Sequence, residues 1–431
     1  MSTPRGNPSD ILILGAGPAG LMCAYLAAAR GRRVRLIDKA ARIGGKLPLT
    51  GGGKCNFTNR NVAPEHFIGS NPNFVRSALA RFGPDDIIAL FEAGGIACEQ
   101  REHGRLFCMH SGRQIITLFD RLCREHRVQI SLNQTVQSVH RNGGGFEVHT
   151  QQGSFAAPVL VVATGGVSYP QAGATDLGYR IARQFGLSVI EPRPGLVPLV
   201  LAPADRAIFK DLAGVSLPVE VACAGRVFRD DLLFTHRGLS GPAILQASCY
   251  LNPGQAITVN FLPGVDVPAV LQRHKQQGAR SGAARLLAER PGGAVALPAH
   301  PRSTGILPVN PKRAGGPPAA PAPGLPMRLA RILVDKHLFE TPLSQATRSQ
   351  LEALASAVGA WSFVPAGTEG LRVAETTLGG VDTGGISSGT MEARHLPGLY
   401  FIGEVLDVAG QLGGYSLHWA WAGANAAANA L

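Results

Sequence analysis

Apolar and polar positions near the start of the chain follow the pattern of one strand–helix–strand unit. Ile11–Leu14 are four consecutive apolar residues, which is typical of a strand buried on both faces of a parallel sheet. A glycine-rich turn follows at once, and the alanine- and leucine-rich run after it predicts a helix. Val34–Ile37 is a second, largely apolar run that ends at Asp38. The pattern therefore predicts two strands of one sheet, connected by a glycine turn and a helix.

The turn carries a Gly-x-Gly-x-x-Gly pattern, and its flanking strands make that pattern specific. Gly15 permits a tight turn, Gly17 lets the backbone approach a pyrophosphate, and Gly20 lets the helix pack on the strand. The helix N-terminus offers free N–H groups to phosphates, and Asp38 lies at the right distance to accept hydrogen bonds from ribose hydroxyls. The first segment of the predicted dinucleotide site comprises Gly15, Ala16, Gly17, Pro18, Ala19, Gly20, Asp38 and Lys39.

The next part of the chain alternates loops with short elements. Residues 42–59 form a loop too rich in glycine to pack by side chains, so its backbone is expected to lie against a ligand. The elements predicted after it are helices at 73–82, Pro84–Ala93 and 111–126, a hairpin at 136–150 and a strand at 158–163. The last strand ends in Ala-Thr-Gly-Gly at 163–166, a second glycine signal that is familiar in flavoproteins with two dinucleotide-binding folds.

Around Pro192 the pattern changes to short strands separated by glycine and proline turns, which predicts an inserted β-domain. The elements predicted from there are strands at 196–201, 215–223, 227–235 and 257–261, helices at 267–290 and 327–358, and return strands at 361–364 and 371–374. Residues 291–326 are rich in Pro, Gly and Ala with few bulky side chains. They cannot bury enough surface to fold, so they are predicted to be a disordered insertion.

The C-terminal segment adds a third glycine signal. An apolar run is followed by Gly403-Glu404, then by Asp407, a Gly-Gly turn and an alanine-rich helix. FAD-binding chains close their site in this order: the acid holds ribityl hydroxyls, and the helix directs its positive end at the flavin pyrimidine. The alternative is that Glu404 and Asp407 are solvated loop acids. The ribityl role is favoured because three cofactor signals occur in the right order.

Together these elements predict an α/β protein with a discontinuous, Rossmann-like FAD domain of the two-dinucleotide-binding-fold type. A β-domain and a helical domain are inserted in it. The predicted boundaries are 1–192 and 373–431 for the FAD domain, 193–264 for the β-domain, 265–358 for the helical domain including the 291–326 insertion, and 359–372 for the return strands of the β-domain.

Composition adds charge and compartment to this picture. The 431 residues include 41 Lys and Arg against 29 Asp and Glu, a formal net charge of +12. This balance favours anionic partners such as cofactor phosphates or nucleic acid, although a coding bias toward Arg gives the same charge. Seven cysteines without a CxxC pair argue against a disulfide framework and indicate a reducing, cytoplasmic setting. The uncharged run at 11–29 is explained by the Gly-x-Gly-x-x-Gly fingerprint and its flanking strand and helix rather than by a signal peptide or a membrane segment.

Three longer motifs resemble a known family. They are GGGKCNFTN at 51–59, LLFTHRGLSGPAILQAS at 232–248 and GLYFIGEVLDVAGQLGGYSLHWAWAGANAA at 398–427. Together they resemble the YhiN/BaiN-like flavoproteins, also called aminoacetone oxidase-like, over most of the chain outside residues 265–326. The resemblance implies a discontinuous FAD domain and a FAD-dependent reductase or oxidase. One branch of this family is linked to dihydrouridine formation in large-subunit ribosomal RNA.

The resemblance also implies a cofactor site that extends beyond the fingerprint. Its further members are Lys46, Cys55, Asn56, Thr58, Val136, Ala163, Thr164, Gly165, Gly403, Glu404, Asp407, Gly413, Gly414, Tyr415 and Ser416. Ser416 stands where relatives usually have Asn, so the resemblance does not predict which hydrogen bonds this chain makes at the flavin edge. The 291–326 insertion falls in the helical domain, so substrate contacts there are not carried over either.

Other candidate chemistry is sparse. Cys55 in the glycine loop is either a proton donor in catalysis or a small residue that touches the flavin. His236 and His418 have no metal-ligand companion at a useful spacing, so both are interpreted as packing histidines and no metal site is predicted. The alternative for Thr235-His236-Arg237 is that it faces the substrate, because it borders the glycine turn at 239–242. A single Gly-x-Gly-x-x-Gly leaves no separate NAD(P)H domain, so NAD(P)H is expected to dock transiently at the open flavin face.

Three classes of function stay open at this point. The first is an NAD(P)H-fed flavin reductase that acts on uridine in ribosomal RNA, and the basic charge favours it. The second is a flavin oxidase or reductase of a small metabolite, such as an amine or an enone, which needs no basic surface. The third is a non-enzymatic scaffold stabilised by FAD, which the intact flavin-edge motifs make the weakest of the three.

Overall fold

A computed structural model of the chain describes residues 9–278, 282–289, 324–338 and 341–431. The chain forms two compact units, one comprising Met1–Pro194 with Leu371–Leu431 and the other comprising Gly195–Gly370. Residues 291–323 of the predicted insertion lie outside the described residues. The finer division of 193–372 into a β-domain and a helical domain stays a prediction.

Helices and strands alternate along both units. The helices are α1 (Pro18–Ala29), α2 (Arg76–Arg81), α3 (Pro84–Ala93), α4 (Arg113–Glu125), α5 (Leu177–Gln184), α6 (Pro203–Phe209), α7 (Pro242–Ser248), α8 (Val267–Gln276), α9 (Ala283–Ala288), α10 (Met327–Leu338), α11 (Arg348–Gly359) and α12 (Tyr415–Ala430). Among the described residues, no helix has both the length and the apolar character that a membrane crossing requires.

The strands are short, as expected for a chain with so many glycine turns. They are β1 (Ile11–Leu14), β2 (Val34–Ile37), β3 (Asn56–Asn59), β4 (Phe67–Ile68), β5 (Cys98–Gln100), β6 (Arg105–Cys108), β7 (Gln129–Ser131), β8 (Val136–Asn142), β9 (Gly145–Thr150), β10 (Gly153–Ala157), β11 (Val159–Val162), β12 (Val189–Gly195), β13 (Leu199–Val200), β14 (Ser216–Cys223), β15 (Arg226–Phe234), β16 (Gly238–Ser240), β17 (Ile257–Asn260), β18 (Trp361–Phe363), β19 (Gly367–Thr368), β20 (Thr376–Val381), β21 (Leu399–Phe401) and β22 (Ala409–Gly410).

A parallel sheet in the order β21-β11-β1-β2-β7 forms the centre of the first unit. β1 lies between β11 and β2, with Ile13 opposite Val161 on one side and Leu36 on the other. All four residues of β1 are buried, as its unbroken apolar pattern predicts. Since parallel strands end at one edge of a sheet, the loops after β1, β2, β11 and β21 meet at that edge.

α1 begins where the sequence predicts, because Pro18 supplies the fixed φ of a first helical residue and Gly17 precedes it in an extended conformation. The helix packs against α12, whose Trp419 and Trp421 are buried. A Cβ on Gly20 would lie 1.9 Å from the carbonyl oxygen of Gly15. The third glycine of the fingerprint therefore sets how closely the helix approaches the turn.

Smaller sheets surround this core in the first unit. The predicted hairpin at 136–150 forms, as β8 and β9, and β10 extends it. β3, β6 and β5 make a three-stranded sheet next to the glycine loop, whose residues Leu47–Gly53 form a distorted 3-10 turn. β22 pairs with β4, which ties the segment before α12 to residues early in the chain.

The second unit is built on a sheet in the order β18-β17-β14-β15-β16-β13-β19. Its strand pairs run antiparallel, and β14 alternates exposed with buried positions so that Val219, Val221 and Cys223 face the core. Residues of this sheet and of α8, α9, α10 and α11 share one hydrophobic core. The predicted β-strands and helices of this part of the chain therefore pack together.

Three predicted elements differ from the structure. The runs at 267–290 and 327–358 each contain two helices rather than one, because Gly278 has a φ of +60° after α8 and Pro342 lies between α10 and α11. The strand predicted at 371–374 is a turn. The carbonyl of Leu371 accepts from the Tyr169 N–H (2.9 Å), so this segment bonds to a loop rather than to a neighbouring strand.

Candidate functional site

The three glycine signals meet at the carboxyl edge of the parallel sheet. A Cβ on Gly15, whose φ is +111°, would lie 2.3 Å from the carbonyl oxygen of Ala163. A Cβ on Gly403, whose φ is +76°, would lie 2.9 Å from the side chain of Ala19. The structure therefore brings together segments that are far apart in the sequence, as their shared glycine chemistry predicts.

The middle glycine of the fingerprint faces open space. A Cβ on Gly17 would meet no atom within 4 Å, and no side chain caps the N-terminus of α1. The glycine loop lies beside it: the Gly44 N–H donates to the Ala16 carbonyl (2.8 Å), and a Cβ on Gly45 would lie 3.9 Å from the Cα of Gly17. Open space next to an uncapped helix N-terminus suits an anion such as a pyrophosphate.

Asp38 is held in place by the main chain. Its two carboxylate oxygens accept from the Ala16 N–H (2.6 Å) and the Ala40 N–H (2.7 Å). Because each oxygen has a second lone pair, the carboxylate retains capacity for hydroxyl donors. The Gln134 N–H donates to the Asp38 carbonyl (2.9 Å), and Val136 begins β8 two positions later. Val136 is therefore placed near Asp38, and its contact with the cofactor stays a prediction.

The second glycine signal contains an unsatisfied hydroxyl. Thr164 Oγ1 is buried and has no hydrogen-bond partner among the described residues. A Cβ on Gly178 would lie 2.3 Å from that oxygen, so α5 packs directly on it. Gly165 has a φ of +73° and faces open space. Lys39 is exposed, and its Cε lies 3.7 Å from the Cβ position of Gly173, so it borders the same loop region.

Glu404 is the centre of a hydrogen-bonded cluster. One of its carboxylate oxygens accepts from the Thr377 N–H (2.8 Å), the Thr376 hydroxyl (3.2 Å) and the Ser168 hydroxyl (3.2 Å). The other lies 3.4 Å from Lys46 Nζ, which also donates to Ser168 Oγ (2.8 Å). Ser168, Thr376 and Thr377 are fully buried. Glu404 is thus fixed by the protein and is not a freely solvated acid.

Asp407 is also held by the protein. It is buried, and one of its carboxylate oxygens accepts from the Ser70 N–H (2.7 Å). The hydroxyl of Tyr179 is buried without a partner among the described residues. Burial raises the pKa of Tyr179 well above its ordinary value, and the charges of Glu404 and Asp407 raise it further. The region around the two acids therefore holds a neutral phenol rather than a phenolate.

The turn before α12 depends on its two glycines. Gly413 and Gly414 have φ values of +126° and +94°, and a Cβ on Gly414 would lie 2.5 Å from the Thr58 carbonyl oxygen. In the orientation that satisfies its hydrogen bonds, the Asn56 amide accepts from the Gly414 N–H (3.1 Å). Asn59 Nδ2 donates to the Gly413 carbonyl (3.0 Å). β3 therefore positions the N-terminus of α12.

The first residues of α12 are fixed by His66, which precedes β4, and by Gly410 of β22. The ring of Tyr415 stacks on that of His66, with centroids 4.5 Å apart. The Ser416 hydroxyl accepts from the Gly410 N–H (3.1 Å), which makes it a local support for the glycine turn. Burial raises the pKa of Tyr415 to about 12. Both side chains thus have protein partners at the start of the helix.

His418 is a packing histidine, as its sequence setting predicts, whereas His236 is exposed and the same prediction is wrong for it. Its Nδ1 lies 2.8 Å from Thr58 Oγ1 and its Nε2 lies 3.2 Å from the Phe82 carbonyl oxygen. Since the carbonyl only accepts, Nε2 carries the proton and Nδ1 accepts from the Thr58 hydroxyl. Burial lowers the pKa of His418 to about 4, so the ring is neutral at neutral pH. Thr58 therefore anchors α12 through this histidine.

Cys55 is fully buried at the end of the glycine loop. Its φ is +55°, which is unusual for a residue other than glycine. Burial raises the pKa of its thiol to about 11, so the thiol is protonated at neutral pH. All seven cysteines lie among the described residues, and none of them forms a disulfide. A thiol this deeply buried does not reach a substrate directly, which argues against a role as proton donor. The catalytic role of Cys55 stays a prediction.

Comparison with known proteins agrees with this architecture. Residues 9–430 match the family described as HI0933-like protein Rossmann domain. The chain belongs to the HI0933-like family. The family resemblance drawn from the glycine-loop and C-terminal motifs is therefore confirmed, as is the Rossmann-like FAD fold. The protein is a FAD-dependent oxidoreductase of this family.

Three relatives of this HI0933-like protein align over nearly its whole length. The ribosomal RNA dihydrouridine synthase of Escherichia coli is 42% identical over 98% of this chain and 98% of its own. That of Haemophilus influenzae is 38% identical over 97% of this chain and 98% of its own. The 3-dehydro-bile acid delta(4,6)-reductase of Clostridium scindens is 27% identical over 95% of this chain and 96% of its own.

Sequence reasoning missed several residues of the HI0933-like site. Ser168, Thr376 and Thr377 surround Glu404, although they lie 236, 28 and 27 positions away from it in the chain. Ser and Thr at such separations form no motif, so no local pattern marks them. The one available signal is that a partly buried carboxylate needs hydrogen-bond donors, which predicts that partners exist but not which residues supply them.

Replacing Asp38 with alanine is expected to weaken FAD binding about 10- to 100-fold. The variant removes the predicted acceptor for ribose hydroxyls, at about 1.5–3 kcal/mol for a charged hydrogen bond, and it also leaves the Ala16 N–H without its acceptor. Fluorescence titration of the apoprotein with FAD measures the change. Asp10→Ala is the matched control, because Asp10 pairs with Arg33 before β1, at the opposite edge of the sheet. Equal affinities for the two variants would remove the ribose role.

Proposed function

We propose that this protein reduces uridine to dihydrouridine in ribosomal RNA, with electrons supplied by NAD(P)H. The observation that carries the proposal is the identity of 42% and 38% with two ribosomal RNA dihydrouridine synthases over nearly the full chain. The bile acid reductase aligns equally far but at 27%. As the family resemblance implies, the substrate uridine is assigned to the large-subunit RNA. The enzyme is assigned to the cytoplasm because its cysteine pattern fits a reducing compartment.

FAD is assigned to the carboxyl edge of the parallel sheet. The open space at Gly17 and the uncapped start of α1 suit the pyrophosphate. Asp38 is assigned to the ribose of the adenosine and the N-terminus of α12 to the flavin pyrimidine.

The chemistry requires a hydride and a proton on adjacent carbons of the uracil. FAD held at this site would supply the hydride that C6 of the uracil ring receives, with NAD(P)H as the source of the electrons. The protein must deliver the proton to C5 and must hold the base out of any duplex, since a paired base is inaccessible. The partial positive charge at the start of α12 favours the negative charge that develops at the cofactor pyrimidine on reduction.

The net charge of +12 fits an RNA substrate. Lys and Arg that contact phosphates release counterions from the RNA, so binding is expected to weaken steeply as salt rises. A small-metabolite reductase shows no such dependence. The relative from Clostridium scindens, a bile acid reductase, is the observation that favours a small metabolite as the substrate. The salt titration of RNA binding distinguishes an RNA substrate from a small metabolite.

Deleting the gene is expected to abolish dihydrouridine in the large-subunit ribosomal RNA of the host. Mass spectrometry of nucleosides from purified ribosomal RNA measures it, with a strain rescued by the wild-type gene as the reference. Dihydrouridine in transfer RNA should stay constant and serves as the internal control. Equal ribosomal dihydrouridine with and without the gene would refute the RNA function and leave the small-metabolite alternative.

Cys55→Ala in the rescue strain separates the two roles considered for this residue. A proton donor predicts failed rescue, whereas a packing residue predicts full rescue. The complete burial of the thiol favours the second result. Cys123→Ala is the matched control, because Cys123 is equally buried, on α4, and burial likewise raises the pKa of its thiol. Failed rescue by the Cys55 variant alone, with FAD loading and the free energy of unfolding unchanged, would support Cys55 as the donor.

A further inference from the structure

Two arginines of the β5–β6 hairpin border the glycine segments of the site, Arg101 through the ring of Phe107 and Arg105 directly. The guanidinium of Arg101 stacks over the ring of Phe107, 4.3 Å from its centroid. A Cβ on Gly51 would lie 2.9 Å from the same ring. Phe107 is buried while Arg101 is exposed, so the guanidinium covers the aromatic ring and presents its outer face to solvent.

Arg105 occupies the corresponding position at the start of α12. Its Cγ lies 3.5 Å from the Cβ position of Gly413, in the turn before that helix. Its Nε donates to the Glu102 carbonyl (3.1 Å), which fixes the direction of the side chain. One arginine therefore borders the glycine loop, and the other borders the turn assigned to the flavin.

The charge around these arginines is positive. Residues 51–60 and 98–113 contain five Lys or Arg against two Glu. Glu99 lies 3.5 Å from Lys54 and 3.1 Å from Arg101, so one carboxylate is shared between two cations. The exposed Arg101 and the half-buried Lys54 and Arg105 thus leave a net positive charge beside the glycine loop. We name this group of three the basic rim.

We infer that the basic rim binds the RNA phosphates that flank the target uridine. This inference rests on the proposed function and locates its substrate on the molecule. Arg is suited to this position because its planar group hydrogen-bonds phosphate and also stacks on bases that are splayed out of a strand. A base presented to the flavin must leave its helix, so phosphates on both sides of it come close to the site.

The test is RNA binding by the FAD-loaded protein carrying Arg101→Gln and Arg105→Gln together. The probe is large-subunit ribosomal RNA transcribed in vitro, and filter binding is measured over a range of salt concentrations. Each phosphate contact contributes about 0.7–0.9 to the slope of log affinity against log salt. The double variant is therefore expected to lower that slope by about 1.5 and the affinity at low salt by about tenfold or more.

The matched control is Arg32→Gln with Arg124→Gln, which removes the same charge. Arg32 precedes β2, and Arg124 lies in the last turn of α4, the helix that leads to β7, so both lie at the amino ends of the strands. The control is expected to keep the wild-type slope. Flavin absorbance confirms that each protein is loaded with FAD. If the double variant fails to fold, single variants at Arg101 and Arg105 are measured instead, and each is expected to show about half of the change in slope.

Equal slopes for the rim and control variants would overturn the inference, whether both fall or neither does. So would wild-type binding by the rim variants in an enzyme whose dihydrouridine activity is established. Failure of the proposed function is a different result, because it appears as unchanged ribosomal dihydrouridine in the deletion strain. The two failures are therefore distinguishable.

Discussion

Replacing Gly17 with valine is expected to abolish FAD binding while leaving the apoprotein folded. The φ and ψ of Gly17 are −79° and −173°, a conformation open to any residue, and a Cβ there would meet no atom of the protein. The new side chain would instead fill the space assigned to the pyrophosphate. The visible flavin absorbance per protein after reconstitution with excess FAD measures the loss, and the thermal midpoint of the apoprotein measures folding.

Gly20→Ala is the contrasting variant within the same fingerprint. Its Cβ would lie 1.9 Å from the main-chain oxygen of Gly15, so the helix and the turn must separate. We expect this variant to lower the free energy of unfolding of the apoprotein by about 1–3 kcal/mol or more. Full FAD loading of the Gly17 variant would show that the pyrophosphate lies elsewhere. Equal apoprotein stabilities for the two variants would show that packing does not distinguish the two glycines.

The elements that the sequence predicted well are those whose causes are local. β1, β2 and α3 have the predicted bounds because apolar runs, a proline and a glycine pair act within a few positions. The fingerprint was predictable for the same reason, because each of its glycines is needed for the backbone conformation or the close packing of the turn in which it lies. Local rules also identified the hairpin at 136–150, where a glycine run joins two strands.

The parts that the sequence did not predict depend on contacts between distant residues. The partners of Glu404 come from three separate segments, and the contact of Arg105 with the turn at Gly413 joins positions far apart in the chain. The alternatives for Glu404, a ribityl ligand or a solvated acid, both omitted the protein partners that the structure shows. Burial of Cys55 was likewise invisible, since a glycine-rich loop suggests exposure.

Replacing Glu404 with alanine is expected to destabilise the apoprotein by about 3 kcal/mol, even without cofactor. The Thr377 N–H is fixed by the backbone and loses its acceptor, and the buried Ser168 hydroxyl must find another. A buried donor left unpaired costs about 1–3 kcal/mol, and a charged acceptor contributes at the upper end of the usual range. Denaturant unfolding of the apoprotein measures the change in the free energy of unfolding.

Measuring the same variant with FAD bound separates the structural role of Glu404 from its predicted role in the cofactor site. Saturating FAD stabilises the wild type by an amount set by its affinity. If Glu404 also binds the ribityl chain, the variant loses part of that additional stabilisation; if it only supports the fold, the increment is unchanged. Glu125→Ala on α4, an exposed acid, is the control and should change stability by less than about 0.5 kcal/mol. An equally small effect at Glu404 would restore the interpretation of a solvated acid, because the hydrogen bonds from Thr377, Ser168 and Thr376 would then contribute nothing to folding.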